Sequence, residues 1–595
     1  MLMPCVANAA IQHLYYPKWV NGGKQMIWFS NRNGLKSYAT SGRSQSDVYS
    51  MFFTQEAWDE FNLSEEDYKL LQALKEEEKK NKKKDADKSK DKDKKDKKDK
   101  KDADKKKKGP EPLKFDWDNM RDRTKRLTIH SSSLSDAVLN KKGDKLYYLA
   151  RFEGRLNLWS TNLRTRETKM AMPLNANSGS LTWDKDMKNL YLLSGGRIAK
   201  INPESKKRTG VKINGEMEFD AKAERTAMFE HVWIRTKNIF YHSNFHGVDW
   251  DKMKKEYEKY LPYIGNSHEF AEMLSEMLGE LNVSHAGSGF RGRMANGDAT
   301  ASLGIFMNYD HDGDGILIDE IISGGPLDKA KFNVKAGMII EKIDGETVDK
   351  DQDVAKYFNR KSGKFMLLDI RDPKTKKTQT ITVKPISLGA ENRLLYRRWV
   401  KANEKEVDKK SNGQLGYVHI PGMSDGPYRS IYQDMMGKFA DRKGVIIDTR
   451  FNGGGDLVAD LAMFFTGVPF ITYATEAKVV GGEPTSRWTK PTLSIFNESM
   501  YSDGHCYAQG YTDLKIGKTV GMPVPGTCSF AGWEGLPNGS YWGVVPVSAK
   551  SREGKWMENL QTEPTIKVKN MPGVVDKGRD QQLERSIQEL LKEVK

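Results

Sequence analysis

The 595-residue sequence lacks long apolar runs and has few cysteines. No stretch reaches the 18 or more apolar residues of a membrane-spanning helix, so we expect no segment to cross a bilayer. The three cysteines, Cys5, Cys506 and Cys528, are widely spaced and cannot form the disulfide framework of a small secreted domain. We therefore expect a reducing compartment or indifference to redox state. The first twenty residues have no basic segment ahead of an apolar core, so we expect no export signal.

Residue spacing suited to a metal is also missing. The ten histidines are scattered without ligand spacing, which predicts no structural metal and no cofactor. The stretch DHDGDG (310–315) opens like a calcium loop, but Ile321 stands where a bidentate glutamate is needed, so we interpret it as a polar hairpin turn. HEFAE (268–272) has no second histidine for zinc, and no Lys-Ser/Thr pair follows Asn452–Gly455 to make a phosphate loop.

The net charge of +16 is concentrated in one low-complexity segment. Residues 79–108 hold 18 Lys and 8 Asp, a net +10, which leaves +6 for the rest of the chain. Two alanines are the segment's only apolar residues, so it cannot bury a core. It also lacks the arginines and interleaved aromatics of a nucleic-acid surface. We predict a disordered insertion over 75–110 and no nucleic-acid partner, with a polyanion-binding arm as the alternative.

The first 215 residues are predicted to form repeated antiparallel β units. Residues 18–34, 137–160 and 181–205 each combine a polar turn with alternating aromatic and aliphatic strands. The strands at Leu146 and Leu190 are 44 residues apart, which is typical of propeller blades. Closing a propeller takes about four or more blades. The sequence therefore predicts a partial β-propeller, and we expect the chain to be the C-terminal portion of a longer protein.

The remaining sequence changes its periodicity twice. Residues 220–295 show the 3.6-residue period of amphipathic helices, and 296–388 return to short strands with glycine turns. Residues 389–595 mix strands and helices, and the continuous apolar run GVIID (444–448) predicts a buried strand. The fold class is therefore multidomain: a partial propeller, a helical segment, a β-rich domain and an α/β core.

Candidate residues for nucleophilic catalysis lie in three distant segments. Ser502 in SMYSDGHCYAQGY could be a nucleophile, which needs a base and a group that orients the base. The candidate base is His285 in LNVSHAG, and the candidate acid is Glu558 in WMENLQTEP, with Glu563 as a rival. Backbone amides of Asp503 and of the 453–455 glycine loop could stabilise an oxyanion.

Together these segments carry a family resemblance. Residues 220–595 resemble the tricorn protease group within the C-terminal processing (tail-specific) peptidases. The matching stretches are FYHSNFHGVDWDKMKKEYEKYLP, LNVSHAG, VIIDTRFNGGG, YSDGH, WMEN and GRDQQLERSIQELL. The resemblance implies Ser502 as nucleophile, His285 as general base, Glu558 as the acid that orients it, and Ser284 as the fourth member of a tetrad.

The resemblance also implies an oxyanion hole made by the amides of Asp503 and Gly454. Under this interpretation His505 and Cys506 are bystanders. The sequence departs from the family pattern twice. His505 replaces the aspartate of the usual Ser-Asp-Gly-Asp, and Glu-Asn-Leu-Gln-Thr (558–562) replaces Glu-Asn-x-Gly-Val, which leaves Glu563 open as the acid.

Residues 296–388 resemble a PDZ domain. Leu303, Gly304 and Ile305 would form the carboxylate-binding loop and the strand that pairs with a bound peptide. Such a domain adds a peptide to an open sheet edge and holds its C-terminal carboxylate with loop amides. The implied partners are peptide substrates, including those with a free C-terminal carboxylate.

The sequence thus predicts a serine peptidase that cleaves unfolded peptides or oligopeptides by a Ser-His-Glu mechanism with an acyl-enzyme intermediate. Two alternatives stay open: a catalytically inactive PDZ and propeller scaffold, and a Ser-Lys tail-specific protease. The second is disfavoured because no lysine occurs between Lys518 and Lys550. The expected location is cytoplasmic, with a periplasmic alternative, and homo-oligomerisation is left open.

Overall fold

The computed structural model describes residues 14–37, 39, 43–90, 112–152, 154–292 and 296–594. The chain divides into two compact units, Met1–Glu218 and Phe219–Lys595. Within the described ranges, no helix combines the length and the apolar character that crossing a bilayer requires.

The first unit contains three consecutive four-stranded antiparallel sheets, as the repeated pattern predicts. Their strands are β1 (Leu14–Val20), β2 (Gln25–Ser30), β3 (Asp47–Phe52) and β4 (Thr124–Arg126); β5 (Ser133–Leu139), β6 (Lys145–Arg151), β7 (Leu156–Asn162) and β8 (Thr168–Ala176); and β9 (Ser180–Trp183), β10 (Leu190–Ser194), β11 (Arg197–Asn202) and β12 (Lys207–Gly210). Alternate residues of β6 face opposite sides. Leu146 and Tyr148 pack with the first sheet, whereas Tyr147 and Leu149 pack with the third.

Between the third and fourth strands of the first sheet, the described residues form two α-helices. They are α1 (Gln55–Asn62) and α2 (Glu65–Lys90). The predicted disorder over 75–110 is therefore wrong for its first part, because α2 continues to Lys90. Lysine, glutamate and alanine are good helix formers, and the acidic first turn of α2 complements the helix dipole. The rest of the predicted insertion, up to residue 110, lies outside the described residues.

The second unit combines helices, antiparallel sheets and one parallel sheet. Its helices are α3 (Ala221–Ile239), α4 (Trp250–Glu258), α5 (Ser267–Gly279), α6 (Ala355–Phe358), α7 (Leu388–Lys410), α8 (Asp425–Gln433), α9 (Val458–Phe465), α10 (Asp503–Asp513) and α11 (Gln581–Glu593). Its strands are β13 (Gly287–Phe290), β14 (Ala301–Ser302), β15 (Ile305–Met307), β16 (Ile316–Ile321), β17 (Ile339–Ile343), β18 (Glu346–Thr347), β19 (Met366–Arg371), β20 (Thr378–Val383), β21 (Ile386–Ser387), β22 (Leu415–His419), β23 (Gly444–Asp448), β24 (Ile471–Ala474), β25 (Val479–Glu483), β26 (Thr492–Phe496), β27 (Thr519–Gly521), β28 (Ser529–Gly535), β29 (Ser540–Ser548) and β30 (Ile566–Lys567).

The predicted helical segment packs onto a sheet that the distant C-terminal part of the chain supplies. Phe229 of α3 and Leu274 of α5 share one apolar core with Trp542 and Val544 of β29. Strand β13 continues the same sheet, because it pairs antiparallel with β29, which pairs with β28. The loop between α5 and β13, which carries His285, is therefore held beside the segment that leads to Glu558.

The β-rich domain has its own sheet and core. Its strands follow the order β15-β16-β17-β19-β20, and apolar side chains such as Ile318, Ile340 and Leu368 fill its interior. The calcium-like stretch 310–315 lies in the turn between the antiparallel strands β15 and β16, which confirms its interpretation as a hairpin turn.

The C-terminal core is built on a parallel sheet in the order β22-β23-β26-β27-β30. Every residue of β23, the GVIID run, is buried, which confirms the prediction from its continuous apolar character. The loops that follow β23, β26 and β27 leave the sheet at its carboxyl edge, where open α/β sheets place their functional groups. Ser502 and the 453–455 glycine loop both lie in these connections.

Candidate active site

Ser502 lies on a sharp turn between β26 and α10. Its backbone has φ 57° and ψ −124°, a conformation that a non-glycine residue adopts only when its surroundings impose it. The Ser502 N–H donates to the Thr527 hydroxyl at 2.9 Å, and helix α10 begins at the next residue. The turn therefore holds the Ser502 hydroxyl at the N-terminus of a helix.

His285 contacts Ser502 from the α5–β13 loop. Its Nε2 lies 2.8 Å from Ser502 Oγ, and its Nδ1 lies 2.7 Å from Ser284 Oγ. The His285 backbone also has positive φ, and its N–H donates to the Tyr501 hydroxyl at 2.8 Å. Burial lowers the pKa of His285 below its usual value, and the Glu558 carboxylate opposes that shift. Burial thus favours the neutral imidazole, while the nearby anion stabilises its protonated form.

Glu558 reaches His285 only through Ser284. Its Oε1 accepts the Ser284 N–H at 2.6 Å, and its Oε2 accepts the Ser284 hydroxyl at 3.0 Å and also the Ser529 hydroxyl. Because the Ser284 hydroxyl donates to Glu558, its oxygen accepts from His285 Nδ1–H. The His285 Nε2 lone pair then faces the Ser502 hydroxyl. These directions form one continuous chain of hydrogen bonds from Ser502 to Glu558.

The rival acid Glu563 lies outside this chain. Its side chain is 61% exposed and forms an ion pair with Lys567 at 3.7 Å. Glu558, in contrast, is buried and accepts three hydrogen bonds. The geometry therefore favours Glu558 as the acid.

The glycine loop lies directly against the Ser502 turn. Gly454 has φ +88°, and a Cβ added to it would lie 2.5 Å from Ser502 Cβ and 2.9 Å from Asp503 N. Only glycine fits so close an approach. The Asp503 N–H opens helix α10 and donates to no atom of the described residues, whereas the Gly454 N–H donates to Asn452 Oδ1 at 2.8 Å.

The Asp503 side chain links helix α10, which follows Ser502, to the segment after the glycine loop. Its carboxylate accepts the N–H groups of Leu457 at 2.6 Å and Val458 at 3.2 Å, where helix α9 begins. Burial raises the pKa of Asp503 to about 6. The residue after Ser502 therefore joins two parts of the site with one side chain and offers its amide to the site itself.

The two predicted bystanders have structural partners that sequence reasoning missed. Cys506 forms a disulfide with Cys528, a pairing that the expectation of no disulfide framework did not anticipate. Helix α10 and the loop that ends just before β28 bring together two cysteines that are 22 positions apart in the sequence. His505 is fully buried and hydrogen-bonded to the same loop. Neither residue contacts the Ser502 hydroxyl.

The predicted carboxylate-binding loop of the β-rich domain has an acidic neighbour. Leu303 and Ile305 are buried, and Gly304 has φ +68°. The Gly304 N–H donates to Ser302 Oγ at 2.7 Å, and the Ser302 hydroxyl donates to the carboxylate of Glu391 on α7. Strand β15 ends the sheet, and within the described residues its outer edge pairs with no other strand.

Metal ligands are not assembled at this site or elsewhere in the described part of the chain. Among those residues, no group of three or more His, Cys, Asp or Glu side chains is arranged to hold a metal ion.

Three domain families match the second unit. Residues 221–279 match the tricorn protease C1 domain, residues 302–387 the tricorn protease PDZ domain, and residues 414–568 peptidase family S41. Each range falls inside one of the predicted segments 220–295, 296–388 and 389–595, whose boundaries remain predictions.

Whole proteins similar to this chain include tricorn proteases and their homologues. A tricorn protease homolog of Saccharolobus solfataricus is 25% identical over 74% of this chain and 42% of its own length. The tricorn protease of Thermoplasma acidophilum is 23% identical over 62% of this chain and 35% of its own length. The chain thus spans less than half the length of either relative. A crystal structure of the tricorn protease shares its fold, with a TM-score of 0.76 at 17% identity, over 98% of this chain and 55% of that one.

The fold and the matched domains define a multidomain chain with a serine peptidase domain of family S41. With its C1 and PDZ domains, the chain is a homologue of tricorn protease.

Proposed function

We propose that the chain cleaves unfolded peptides or oligopeptides as a serine peptidase, with Ser502 as nucleophile and His285 as general base. The observation that carries this proposal is the directed chain of hydrogen bonds from the Ser502 hydroxyl through His285 and Ser284 to Glu558. A hydroxyl becomes a nucleophile when an adjacent base takes its proton and a third group fixes that base. All of these parts meet at the carboxyl edge of the parallel sheet.

The reaction proceeds in two acyl-transfer steps. Ser502 Oγ attacks the scissile carbonyl while His285 Nε2 takes its proton, and the imidazolium then returns that proton to the leaving amine. Water, activated by the same imidazole, hydrolyses the ester and releases Ser502. Glu558 stabilises the imidazolium through the Ser284 hydroxyl, which accepts from Nδ1–H throughout.

The oxyanion of each tetrahedral intermediate is bound by backbone amides. The Asp503 N–H is available at the start of α10, where the helix dipole adds to the stabilisation. Gly454 is the proposed second donor because its backbone lies against Ser502. Its N–H would be shared between Asn452 Oδ1 and the oxyanion as a three-centre hydrogen bond.

A fluorophosphonate probe and a set of fluorogenic peptides test the proposal. The probe should label Ser502, and Ser502→Ala should abolish labelling and lower kcat by about 10³–10⁶-fold, because triad members act as a unit. Absence of both labelling and cleavage in the wild-type chain would favour the inactive scaffold. The Ser-Lys alternative has no support in the described residues, where the Ser502 hydroxyl bonds to His285 and to no lysine.

The PDZ domain is proposed to bind peptides by adding them to the edge of β15, which supports delivery of substrate to the adjoining peptidase domain. A free C-terminal carboxylate would have to compete with Glu391, whose side chain already accepts from Ser302 in the loop. Comparing carboxylate and amide forms of one peptide by calorimetry tests this.

An exposed apolar hairpin supports a homo-oligomer. In and before β24–β25, the side chains of Val468, Phe470, Val479 and Val480 are 60–73% exposed. Large apolar side chains that are exposed together in one segment are typical of a protein interface. Light scattering after gel filtration should give a mass above that of one chain, and Phe470→Asp with Val480→Asp should lower it.

The Cys506–Cys528 disulfide bears on location. Disulfides persist in oxidising compartments and are rare in the cytoplasm. We therefore favour the periplasmic alternative over the cytoplasmic expectation. Alkylation of free thiols in intact cells, followed by mass spectrometry, would find Cys506 unmodified if the pair is oxidised in place.

A further inference from the structure

His505 has a fixed protonation state because of its partners. Its Nδ1 accepts the N–H groups of Thr527 and Cys528, both at 3.1 Å, so that nitrogen carries no proton. The proton is therefore on Nε2, which donates to Thr562 Oγ1 at 3.0 Å, and Thr562 donates in turn to Gln509 at 2.7 Å. Burial lowers the pKa of His505 to about 4, so the ring is neutral at ordinary pH.

The loop that His505 binds contacts both ends of the catalytic hydrogen-bond chain. Thr527 Oγ1 accepts the N–H of Ser502, whose backbone is in the unfavourable positive-φ region. Ser529, two residues later, donates to Glu558. A small rotation of this loop would move the nucleophile and the acid together.

We infer that His505 is a positioning residue: its Nδ1 holds the amides of Thr527 and Cys528 so that Thr527 fixes the Ser502 turn and Ser529 fixes Glu558. This inference rests on the proposed peptidase function. The Cys506–Cys528 disulfide already limits how far α10 and the loop can separate. The disulfide does not fix the direction of the Thr527 hydroxyl. The two hydrogen bonds from the backbone N–H groups to His505 Nδ1 do.

The departure of His505 from the family's aspartate fits this role. Nδ1 lies two bonds from Cβ, where an aspartate or asparagine places an oxygen. Any of the three can therefore accept the loop amides, and the requirement is an acceptor at that position rather than a charge. Asparagine is the matched neutral replacement, whereas leucine fills the space without accepting.

Two pairs of variants of the full chain test the inference, with kcat, KM and the rate of fluorophosphonate labelling as readouts. His505→Leu should lower kcat and the labelling rate by about 10–100-fold, the effect of losing buried hydrogen bonds. His505→Asn should stay within about five-fold of wild type, and KM should change by less than about three-fold in both. Thr527→Val should lower kcat like His505→Leu, while Thr527→Ser, which keeps the hydroxyl, should not.

The Thr527 pair keeps the test decisive if His505→Leu fails to fold. The inference is overturned if wild type is active and Thr527→Val keeps kcat within about two-fold. It is also overturned if a folded His505→Asn loses as much activity as His505→Leu. Wild type that neither cleaves peptides nor labels at Ser502 would overturn the proposed function itself, a distinct result.

Discussion

Glu558→Gln should lower kcat of the proposed reaction severely, although glutamine has nearly the same shape as glutamate. Glu558 Oε1 accepts the Ser284 N–H at 2.6 Å, so a glutamine at this position must place its carbonyl oxygen there. Its NH₂ group then faces the Ser284 hydroxyl and donates to it. The Ser284 proton has to turn towards His285 Nδ1, which forces the imidazole proton onto Nε2. That nitrogen can then no longer accept the proton of Ser502.

The expected loss of kcat in Glu558→Gln follows from holding the His285 proton on Nε2. Amidating the orienting acid of a serine protease costs about 10⁴-fold in kcat for the same reason, so we expect about 10³–10⁴-fold here. Ser284→Ala removes the hydroxyl that enforces the wrong tautomer and should cost only about 10–100-fold, part of the usual contribution of an acid–base partner. The double variant Ser284→Ala/Glu558→Gln should therefore be at least about ten-fold more active than Glu558→Gln alone.

Single-turnover hydrolysis of a fluorogenic peptide, normalised by active-site titration, measures these differences. Glu563→Gln is the matched control, since that exposed side chain pairs only with Lys567 in the described structure, and kcat should be unchanged. A double variant no more active than Glu558→Gln would refute the relay through Ser284. A severe loss in Glu563→Gln would instead move the acid to that residue.

Three further predictions concern other parts of the chain. Because the base must be neutral and burial lowers the pKa of His285 below its usual value, kcat/KM should rise with pH and reach its plateau at a lower pH than a free imidazole would give. A midpoint above 6.5 in the pH profile would contradict this. Gly454→Ala should lower kcat by at least about 100-fold, because its Cβ would collide with Ser502. A Cβ at Gly453 meets nothing within 4 Å, so Gly453→Ala should change kcat little. Equal kcat for the two variants would argue against the close packing of Gly454 on Ser502. Glu391→Gln removes the carboxylate that competes in the PDZ loop, so it should tighten binding of a peptide with a free C-terminal carboxylate by about five-fold. Calorimetry should show unchanged affinity for the amidated peptide. Equal affinity of the variant and the wild type for the free carboxylate would remove Glu391 as a competitor.

The parts of the fold with a strong local signal were predictable from sequence. The run GVIID forms a buried parallel strand because its residues can all pack on two covered faces. Residues 75–90 were not predictable in this way. Their composition excludes a buried core, but it does not exclude an exposed helix, and local propensity extends α2 to Lys90.

The site was predictable only where a motif existed. The motifs led to Ser502, His285, Ser284 and Glu558, which the structure joins in that order by successive hydrogen bonds. Thr527 and Ser529 carry no motif, because their roles depend on a loop placed by tertiary packing. The disulfide was missed because sequence separation says nothing about which loop lies against α10.

Because β29 supports the His285 loop but follows it in the sequence, the proposed site is completed only after β29 has been synthesised. The proposed base His285 is translated before the PDZ domain, whereas the strand that pairs with β13 and the proposed acid Glu558 come after it, Glu558 about 270 residues later. At about 5–20 residues per second, the ribosome needs roughly 14–54 s to cover that distance. A nascent chain therefore lacks the complete set of proposed catalytic residues until Glu558 has been synthesised. Ribosome-bound chains that stop before β29 should not react with a fluorophosphonate, whereas full-length chains should.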